Sequence, residues 1–194
     1  MHEPDFAVPD DQLRAAASVK WTYHPADVLP AWVAEMDVRP CSAVAAALHE
    51  AVDRGELGYP APAAATALPA ATAEVLDARL GWQVDPGLVV PCGDVMAGVR
   101  LVLETLCDPA PVVVPLPTYP PFLQVVPLTG RALVPLPLPE VAGRATLDLP
   151  ALDRALAAGA RTVLLSSPHN PTGRVWTRAE LEGCATSCCG TALA

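Results

Sequence analysis

The sequence predicts an α/β fold built on a doubly wound, mostly parallel sheet, and two observations support this prediction. Short apolar runs alternate with helical patterns from residue 88 onward, at residues 88–91, 111–115, 132–138 and 162–165. These runs lack the polar alternation of half-exposed strands, which indicates strands covered on both faces. A regular succession of such strands with helices is typical of α/β proteins.

Composition narrows the classes of function. The chain has 194 residues, is 52% hydrophobic and carries a net charge of −9. This length is sufficient for one domain with its own core, and the acidic balance argues against nucleic acid or anionic membrane as a partner. Every apolar run is interrupted well before the ~20 residues that a membrane-spanning helix needs, and the acidic N-terminus lacks an apolar leader. We therefore expect a cytoplasmic protein.

The six cysteines show neither disulfide nor zinc spacing. Cys184, Cys188 and Cys189 form the densest group, with no histidine beside them in sequence and no second Cys-x-x-Cys pair. Free, reduced thiols are therefore predicted, and no metal site.

The N-terminal part reads as an arm followed by helices. Residues 1–40 form a polar, proline-containing arm in which Trp21 and Trp32 need cover. Ser42 is the expected N-cap of a helix at residues 43–54 that Gly55 ends, and a second helix is predicted at residues 69–80. The first helix presents an apolar side formed by Val44, Leu48 and Val52.

A strand–loop–helix unit beginning at residue 88 contains the first candidate site. Gly93 lets the backbone approach a ligand, and the following helix offers free N–H groups and the positive end of its dipole. Asp94 is expected to turn inward as N-cap, which leaves the N–H groups of Val95 and Met96 to face a phosphate.

The next strand leads into a second candidate. Residues 111–115 form the strand, and four prolines then hold the 115–121 segment stiff with Tyr119 between them. An aromatic ring fixed at the carboxyl end of a strand can stack on a flat heteroaromatic ligand. Beyond it, a strand at 132–138 and a helix at 150–158 capped by Asp148 continue the pattern.

The most informative stretch runs from residue 162 to residue 176. After the last apolar run, Pro168 and Pro171 brace a loop that carries Asn170, beyond the carboxyl end of a strand, where open α/β sheets bind ligands. Thr177 and Glu180 then form a capping box that opens a helix.

This spelling, Ser-Pro-His-Asn-Pro-Thr-Gly-Arg-Val-Trp-Thr, resembles the pyridoxal-phosphate (PLP) enzymes of aminotransferase fold type I, and within them the cystathionine β-lyase, or carbon–sulfur lyase, branch. The same branch begins with Lys-Trp and then Leu-Pro-x-Trp-Val-Ala-Asp-Met-Asp. Lys20-Trp21 and residues 29–37 match that pattern, with Glu35 in place of the first aspartate.

The resemblance implies a fold, a cofactor and a set of roles. The fold is the large domain of fold type I, and the cofactor is PLP. Tyr119 would stack on its ring, Asn170 would hydrogen-bond the ring oxygen, and Val95 and Met96 beside Asp94 would hold its phosphate. Tyr59, an ordinary loop aromatic on its own evidence, would reach across a homodimer to the partner's cofactor phosphate. The implied reaction cleaves cystathionine or a cysteine S-conjugate into thiol, pyruvate and ammonia, and the alternative is transamination.

The family's covalent chemistry needs a lysine in its C-terminal half, and the one lysine here, Lys20, lies in the arm. The resemblance runs from about residue 20 to about residue 185, which predicts a partial PLP-binding domain at 41–185 and an aberrant tail at 186–194. We interpret the chain as a truncated or frame-shifted product, with a cut or two-gene split form as alternatives. Alone, we expect it to be poorly soluble or partly unfolded, and inactive. The alternative of another class is a non-catalytic fragment or a half-subunit completed by another polypeptide.

Overall fold

The structure is a computed structural model that describes residues 8–59 and 62–190, without the side chains of residues 62–66. Residues 1–7 of the predicted arm and residues 191–194 of the predicted tail lie outside the described residues. The chain divides into two compact units, residues 1–87 (unit 1) and residues 88–194 (unit 2). These limits differ from the predicted limits at residues 40 and 185.

Unit 1 is helical. Its elements are α1 (Asp10–Ala15), α2 (Val19–Thr22), α3 (Ser42–Asp53), α4 (Pro62–Leu80) and a 3₁₀ turn at Pro86–Leu88 that ends in unit 2. Two short helices, α1 and α2, thus form within the predicted arm. Cys41, not Ser42, is the N-cap of α3, and α4 begins before residue 69. Gly55 follows α3 with a φ of 72°, a left-handed conformation that favours glycine and confirms where this helix stops.

A polar anchor joins the two halves of the arm. Lys20 is buried, and its Nζ lies 2.7 Å from Asp37 Oδ2 and 2.6 Å from the Glu35 carbonyl oxygen. Trp21 is also buried and donates its indole N–H to Asp37 Oδ1 over 2.8 Å. The hydrogen bonds from Lys20 and then Trp21 lower the pKa of Asp37. Trp21 thus packs as predicted, whereas Trp32 stays 45% exposed.

Unit 1 buries little apolar surface among its described residues. Trp21 is the one aromatic or branched aliphatic side chain of this described part that is buried. The predicted apolar side of α3 is on the surface, since Val44, Leu48 and Val52 are each more than half exposed. Helix α3 is therefore formed by its local sequence without a core contact for that side.

Unit 2 is built on a parallel sheet with β1 in the centre. The strands are β1 (Val112–Leu116), β2 (Leu133–Pro137) and β5 (Thr162–Val163), in the order β2-β1-β5. A separate antiparallel hairpin is formed by β3 (Glu140–Val141) and β4 (Arg144–Ala145). The helices are α5 (Val95–Thr105), α6 (Pro120–Leu128), α7 (Leu149–Ala157) and α8 (Arg178–Gly190).

Two apolar clusters cover the two faces of this sheet. Val112 and Val114 of β1 pack with side chains of α5 and α6, whereas Val113 packs with side chains of α7 and α8. Successive residues of a strand point to opposite faces, so β1 is covered on both sides. The predicted doubly wound α/β fold with a parallel sheet is confirmed.

Three elements of unit 2 differ from the prediction. No strand forms at residues 88–91, where a 3₁₀ turn ends and where Leu88 and Val90 remain exposed without a partner strand in the described chain. Strand β5 is shorter than predicted and only half-buried, because it pairs with β1 on one side. Helix α6 was not predicted, and it begins with Pro120 and Pro121, which suit the first turn of a helix.

Helix α8 extends into residues 186–190, which were predicted to belong to an aberrant tail. It continues to Gly190, since Cys184 and Cys188 stand one turn apart and both pack against the α7 side of the sheet. Burial raises the pKa of the Cys184 thiol to about 11. No disulfide joins any of the six cysteines, all of which belong to the described residues. No helix among the described residues has the length and hydropathy to cross a membrane.

Candidate functional site

The first helix of unit 2 begins in the way that the sequence predicts. Asp94 has extended backbone, and its Oδ1 accepts a hydrogen bond of 2.8 Å from the Ala97 N–H. The carboxylate is thereby turned onto the first turn of α5. The N–H groups of Val95 and Met96 precede the first intrahelical hydrogen bond of this helix, so they remain available to an anion.

Tyr119 lies beside this helix start. A cavity of about 490 Å³ is lined by Asp94, Val95, Met96, Tyr119 and Phe122. Tyr119 directly precedes α6, and Phe122 holds its ring edge-to-face, with centroids 5.7 Å apart and planes at 83°. The ring is 38% exposed, which leaves part of it open to a ligand. The structure therefore brings four of the six predicted residues to one cavity.

The other two predicted residues stand apart from that cavity. Asn170 is exposed on the loop after β5, and it is not among the residues that line the cavity. Because β1 and β5 are parallel neighbours, the Tyr119 and Asn170 loops leave the same edge of the sheet. Tyr59 belongs to unit 1, where its side chain is fully exposed.

Sequence reasoning missed the residues that hold the Asn170 loop. His169 is 2% exposed, and its Nε2 lies 2.8 Å from the Pro117 carbonyl oxygen on the Tyr119 loop. Trp176 is also buried, with its indole N–H donated to the Ser166 carbonyl oxygen over 2.8 Å. The available sequence signal was the position of this histidine between Pro168 and Pro171. Prolines fix φ and restrict the residues before them, so the loop has few conformations and the His169 side chain has few possible directions.

The predicted capping box at the start of α8 is confirmed, and an arginine strengthens it. Glu180 Oε2 accepts from the Thr177 N–H at 2.7 Å, and Thr177 Oγ1 accepts from the Glu180 N–H at 3.3 Å. Arg174 Nη2 contacts both carboxylate oxygens of Glu180, at 2.7 and 2.8 Å. Burial alone would raise the pKa of Glu180, but the hydrogen bonds from Thr177 and the charge of Arg174 outweigh it and lower that pKa.

Thr118 is a further polar group next to the candidate site. Within the described ranges, its buried Oγ1 has no hydrogen-bond partner. A buried hydroxyl without a partner carries a free-energy cost that a ligand or water can remove. The sequence offered no reason to single it out, because threonine is common in loops.

Fold and site together define an α/β protein with a ligand-binding edge at the carboxyl ends of its parallel strands. The chain belongs to the aminotransferase class I and II family, whose model matches residues 33–189. That match extends beyond residue 185, where the sequence resemblance was expected to end.

Individual relatives are similar over almost the whole chain. A "putative cystathionine beta-lyase" of Mycobacterium leprae is 43% identical over 188 residues, which cover 90% of this chain and 44% of that protein. A cystathionine beta-lyase of Corynebacterium glutamicum is 36% identical over 86% of this chain and 43% of its own length. The crystal structure of a "putative plp-dependent beta-cystathionase" from Corynebacterium diphtheriae superposes with a TM-score of 0.85 at 33% identity, over 96% of this chain and 48% of that one. The chain thus spans somewhat less than half the length of these relatives.

Proposed function

We propose that this chain forms part of a PLP-dependent carbon–sulfur β-lyase. The observation that supports this most directly is the cavity that unites the α5 start with Tyr119. The matched relatives with lyase names cover 84–90% of the chain, which favours the same chemistry here. The substrate class is a cysteine S-conjugate such as cystathionine, and the cleavage products are a thiol, pyruvate and ammonia.

The residues of the cavity fit PLP. Its phosphate needs N–H donors, which the start of α5 provides, and the Asp94 carboxylate is turned onto the Ala97 N–H. Its pyridine ring needs a flat aromatic surface, which Tyr119 provides at 38% exposure. The buried Thr118 hydroxyl is one further donor without a partner among the described residues.

Each residue then has a distinct task. The N–H groups of Val95 and Met96 bind the phosphate, and the Tyr119 ring orients the cofactor plane. Asn170 hydrogen-bonds the ring oxygen from the neighbouring loop, and Tyr59 contributes to the partner's phosphate site in a homodimer. When bound, PLP supplies an electron-withdrawing ring that stabilises negative charge at the substrate Cα.

Covalent attachment of the cofactor is not assigned to this chain. Its one lysine, Lys20, is 7% exposed and holds hydrogen bonds with Asp37 and the Glu35 carbonyl. A protonated amine in a salt bridge is a poor nucleophile. The reactive lysine of the complete enzyme therefore has to come from outside these 194 residues, and we place that enzyme in the cytoplasm, where cysteines without disulfides remain reduced.

Cofactor binding is tested by titrating the chain with PLP and comparing Tyr119→Leu with Tyr23→Leu. Tyr23 is an exposed tyrosine of unit 1 and serves as the matched control. Tyr119→Leu should weaken binding about five- to tenfold, since it removes the aromatic contact, and Tyr23→Leu should leave binding unchanged. Borohydride reduction followed by mass spectrometry should find no adduct on Lys20. Absence of saturable binding, or equal losses in both variants, would contradict the proposed cofactor site.

The reaction class is tested by supplying the rest of the fold as a second polypeptide, taken from the unmatched part of the Corynebacterium glutamicum relative. With cystathionine, release of thiol and pyruvate supports the lyase. Transfer of the amino group to a 2-oxo acid without thiol release supports the aminotransferase alternative. This alternative is consistent with the family, which is named for aminotransferases of class I and II. If the pair binds PLP and catalyses neither reaction, the non-catalytic alternative replaces both.

A further inference from the structure

His169 occupies an unusual position between the two loops of the candidate site. Within the described chain, it and Lys20 are the two buried side chains that are polar or charged. It directly precedes Asn170, yet its own side chain points into the protein and is 2% exposed. A buried imidazole is tolerated where both ring nitrogens find hydrogen-bond partners.

The partners of His169 fix its tautomer. Its Nε2 lies 2.8 Å from the Pro117 carbonyl oxygen, which only accepts hydrogen bonds, so Nε2 carries the proton. Its Nδ1 lies 3.3 Å from Ser166 Oγ, a hydroxyl that can donate to this nitrogen or accept from it. The Trp176 ring packs against the imidazole with centroids 5.4 Å apart, and it donates to the Ser166 carbonyl oxygen.

The hydrogen bond to Pro117 matters because the strands themselves connect the loops only briefly. Strand β5 pairs with β1 at two positions, and the last backbone bond between them runs from the Leu164 N–H to the Val113 carbonyl oxygen. Beyond that bond, β1 leads to Tyr119 and β5 leads to Asn170. The His169 side chain is the hydrogen bond that ties these two loops together past the ends of the paired strands.

We propose that His169 is a positioning residue that holds the Tyr119 loop and the Asn170 loop at a fixed separation through its Nε2–H. It touches neither cofactor nor substrate. The identity of the ligand that the two loops bind rests on the proposed function, whereas the hydrogen bond between the loops does not. This role requires that residue 169 place a hydrogen-bond donor where His169 Nε2 lies. The acceptor is the Pro117 backbone carbonyl, which a side-chain substitution does not remove.

Glutamine and asparagine provide a matched pair of variants. The glutamine side-chain amide reaches the place of Nε2, so His169→Gln keeps a donor for the Pro117 carbonyl. The shorter asparagine amide reaches only the place of Nδ1, so His169→Asn loses that hydrogen bond while it keeps a polar group near Ser166. Fluorotyrosine NMR of the chain, which has three tyrosines, reports on the Tyr119 loop without any ligand, with the Tyr119 signal assigned from Tyr119→Phe.

The expected result is a shifted or broadened Tyr119 signal in His169→Asn, a near-native signal in His169→Gln, and unchanged Tyr23 and Tyr59 signals in both. PLP affinity should fall about five- to tenfold in His169→Asn and stay within about twofold in His169→Gln. Equal behaviour of the two variants in the tyrosine signals would overturn the proposal. If the unsubstituted chain binds no PLP, the proposed function fails, and the tyrosine signals still decide the role of His169.

Nitrogen-15 NMR of the imidazole decides the matter even if His169→Asn does not fold. The unsubstituted chain should show the His169 ring with a proton on Nε2, assigned by the loss of this signal in His169→Gln. An Nδ1–H tautomer with Nε2 unprotonated would have no donor for the Pro117 carbonyl, and it would overturn the proposal.

Discussion

Unit 1 and unit 2 are each stabilised internally by different kinds of contact. In unit 2, alternate side chains of β1 enter two apolar clusters, so the central strand is covered on both faces. In unit 1, the described residues form no comparable cluster, and the contacts that join its N-terminal segments include the hydrogen bonds of Lys20 and Trp21 to Asp37. The apolar side of α3 remains on the surface.

This difference predicts how the stability of each unit responds to the loss of one contact. An apolar core tolerates the loss of one polar contact, because burial contributes over many side chains. A segment fixed by a few polar contacts depends on each of them, because a buried charge that loses its partner is strongly destabilising.

The largest expected effect comes from a charge placed in the core of unit 2. Val113 is fully buried on β1, and Val113→Asp should abolish cooperative unfolding, since an unpaired buried carboxylate costs more than ~4 kcal/mol. The matched substitution in unit 1, Val44→Asp on the 52% exposed side of α3, should change the unfolding free energy by less than ~0.5 kcal/mol. Urea unfolding followed by circular dichroism measures both. Similar losses in the two variants would mean that α3 has a buried partner and that the units do not differ in this way.

A smaller effect is expected when the polar anchor of unit 1 is broken. Asp37→Asn leaves the buried Lys20 ammonium without its counter-charge, and the thermal midpoint should fall by about 10 °C. The double variant Lys20→Met/Asp37→Asn removes the stranded charge as well, and it should recover part of the loss. If Asp37→Asn melts like the unsubstituted chain, Lys20 does not depend on this partner.

The same anchor gives unit 1 a defined pH dependence. The pKa of Asp37 is lowered below its ordinary value of 3.8, so the folded state binds its proton more weakly than the unfolded state does. The stabilisation is therefore complete above the unfolded pKa and is lost as the pH falls below about 3.8 through the folded value. Asp37→Asn should remove this part of the acid transition and leave the remainder in place.

The sequence predicted the parts of unit 2 where local chemistry and tertiary packing agree. Asp94 and the Thr177–Glu180 box cap their helices because these caps need only a few neighbouring residues. The apolar run at 88–91 was misread as a strand because an apolar pattern does not reveal whether a partner strand exists. Its exposed Leu88 and Val90 show that no partner covers it within the described residues.

The candidate site was predictable in its parts but not in its assembly. Tyr119 and the start of α5 each carried a local signal, and the structure unites them in one cavity. The hydrogen bond between His169 and the Pro117 carbonyl joins residues 52 positions apart, a contact that no local pattern reports. Likewise, helix α8 continues past residue 185 because Cys184 and Cys188 pack on the core. The small residues between these cysteines give no sign of that contact in the sequence.

The smallest expected effect concerns a polar contact that lies within the well-packed unit. Glu180→Gln removes the charge that pairs with Arg174 but keeps an oxygen for the Thr177 N–H, and it should cost about 1 kcal/mol of unfolding free energy. Glu182→Gln on the same helix removes an exposed pair with Arg178 at 3.7 Å and should change this free energy by less than ~0.5 kcal/mol. Urea titration at pH 7 resolves the difference. Because the pKa of Glu180 is lowered, its contribution should fade as the pH falls below about 4.5, and the two variants should then converge. A loss in Glu180→Gln as large as that of Asp37→Asn would show that unit 2, despite its two apolar clusters, depends on this single ion pair as unit 1 depends on its anchor.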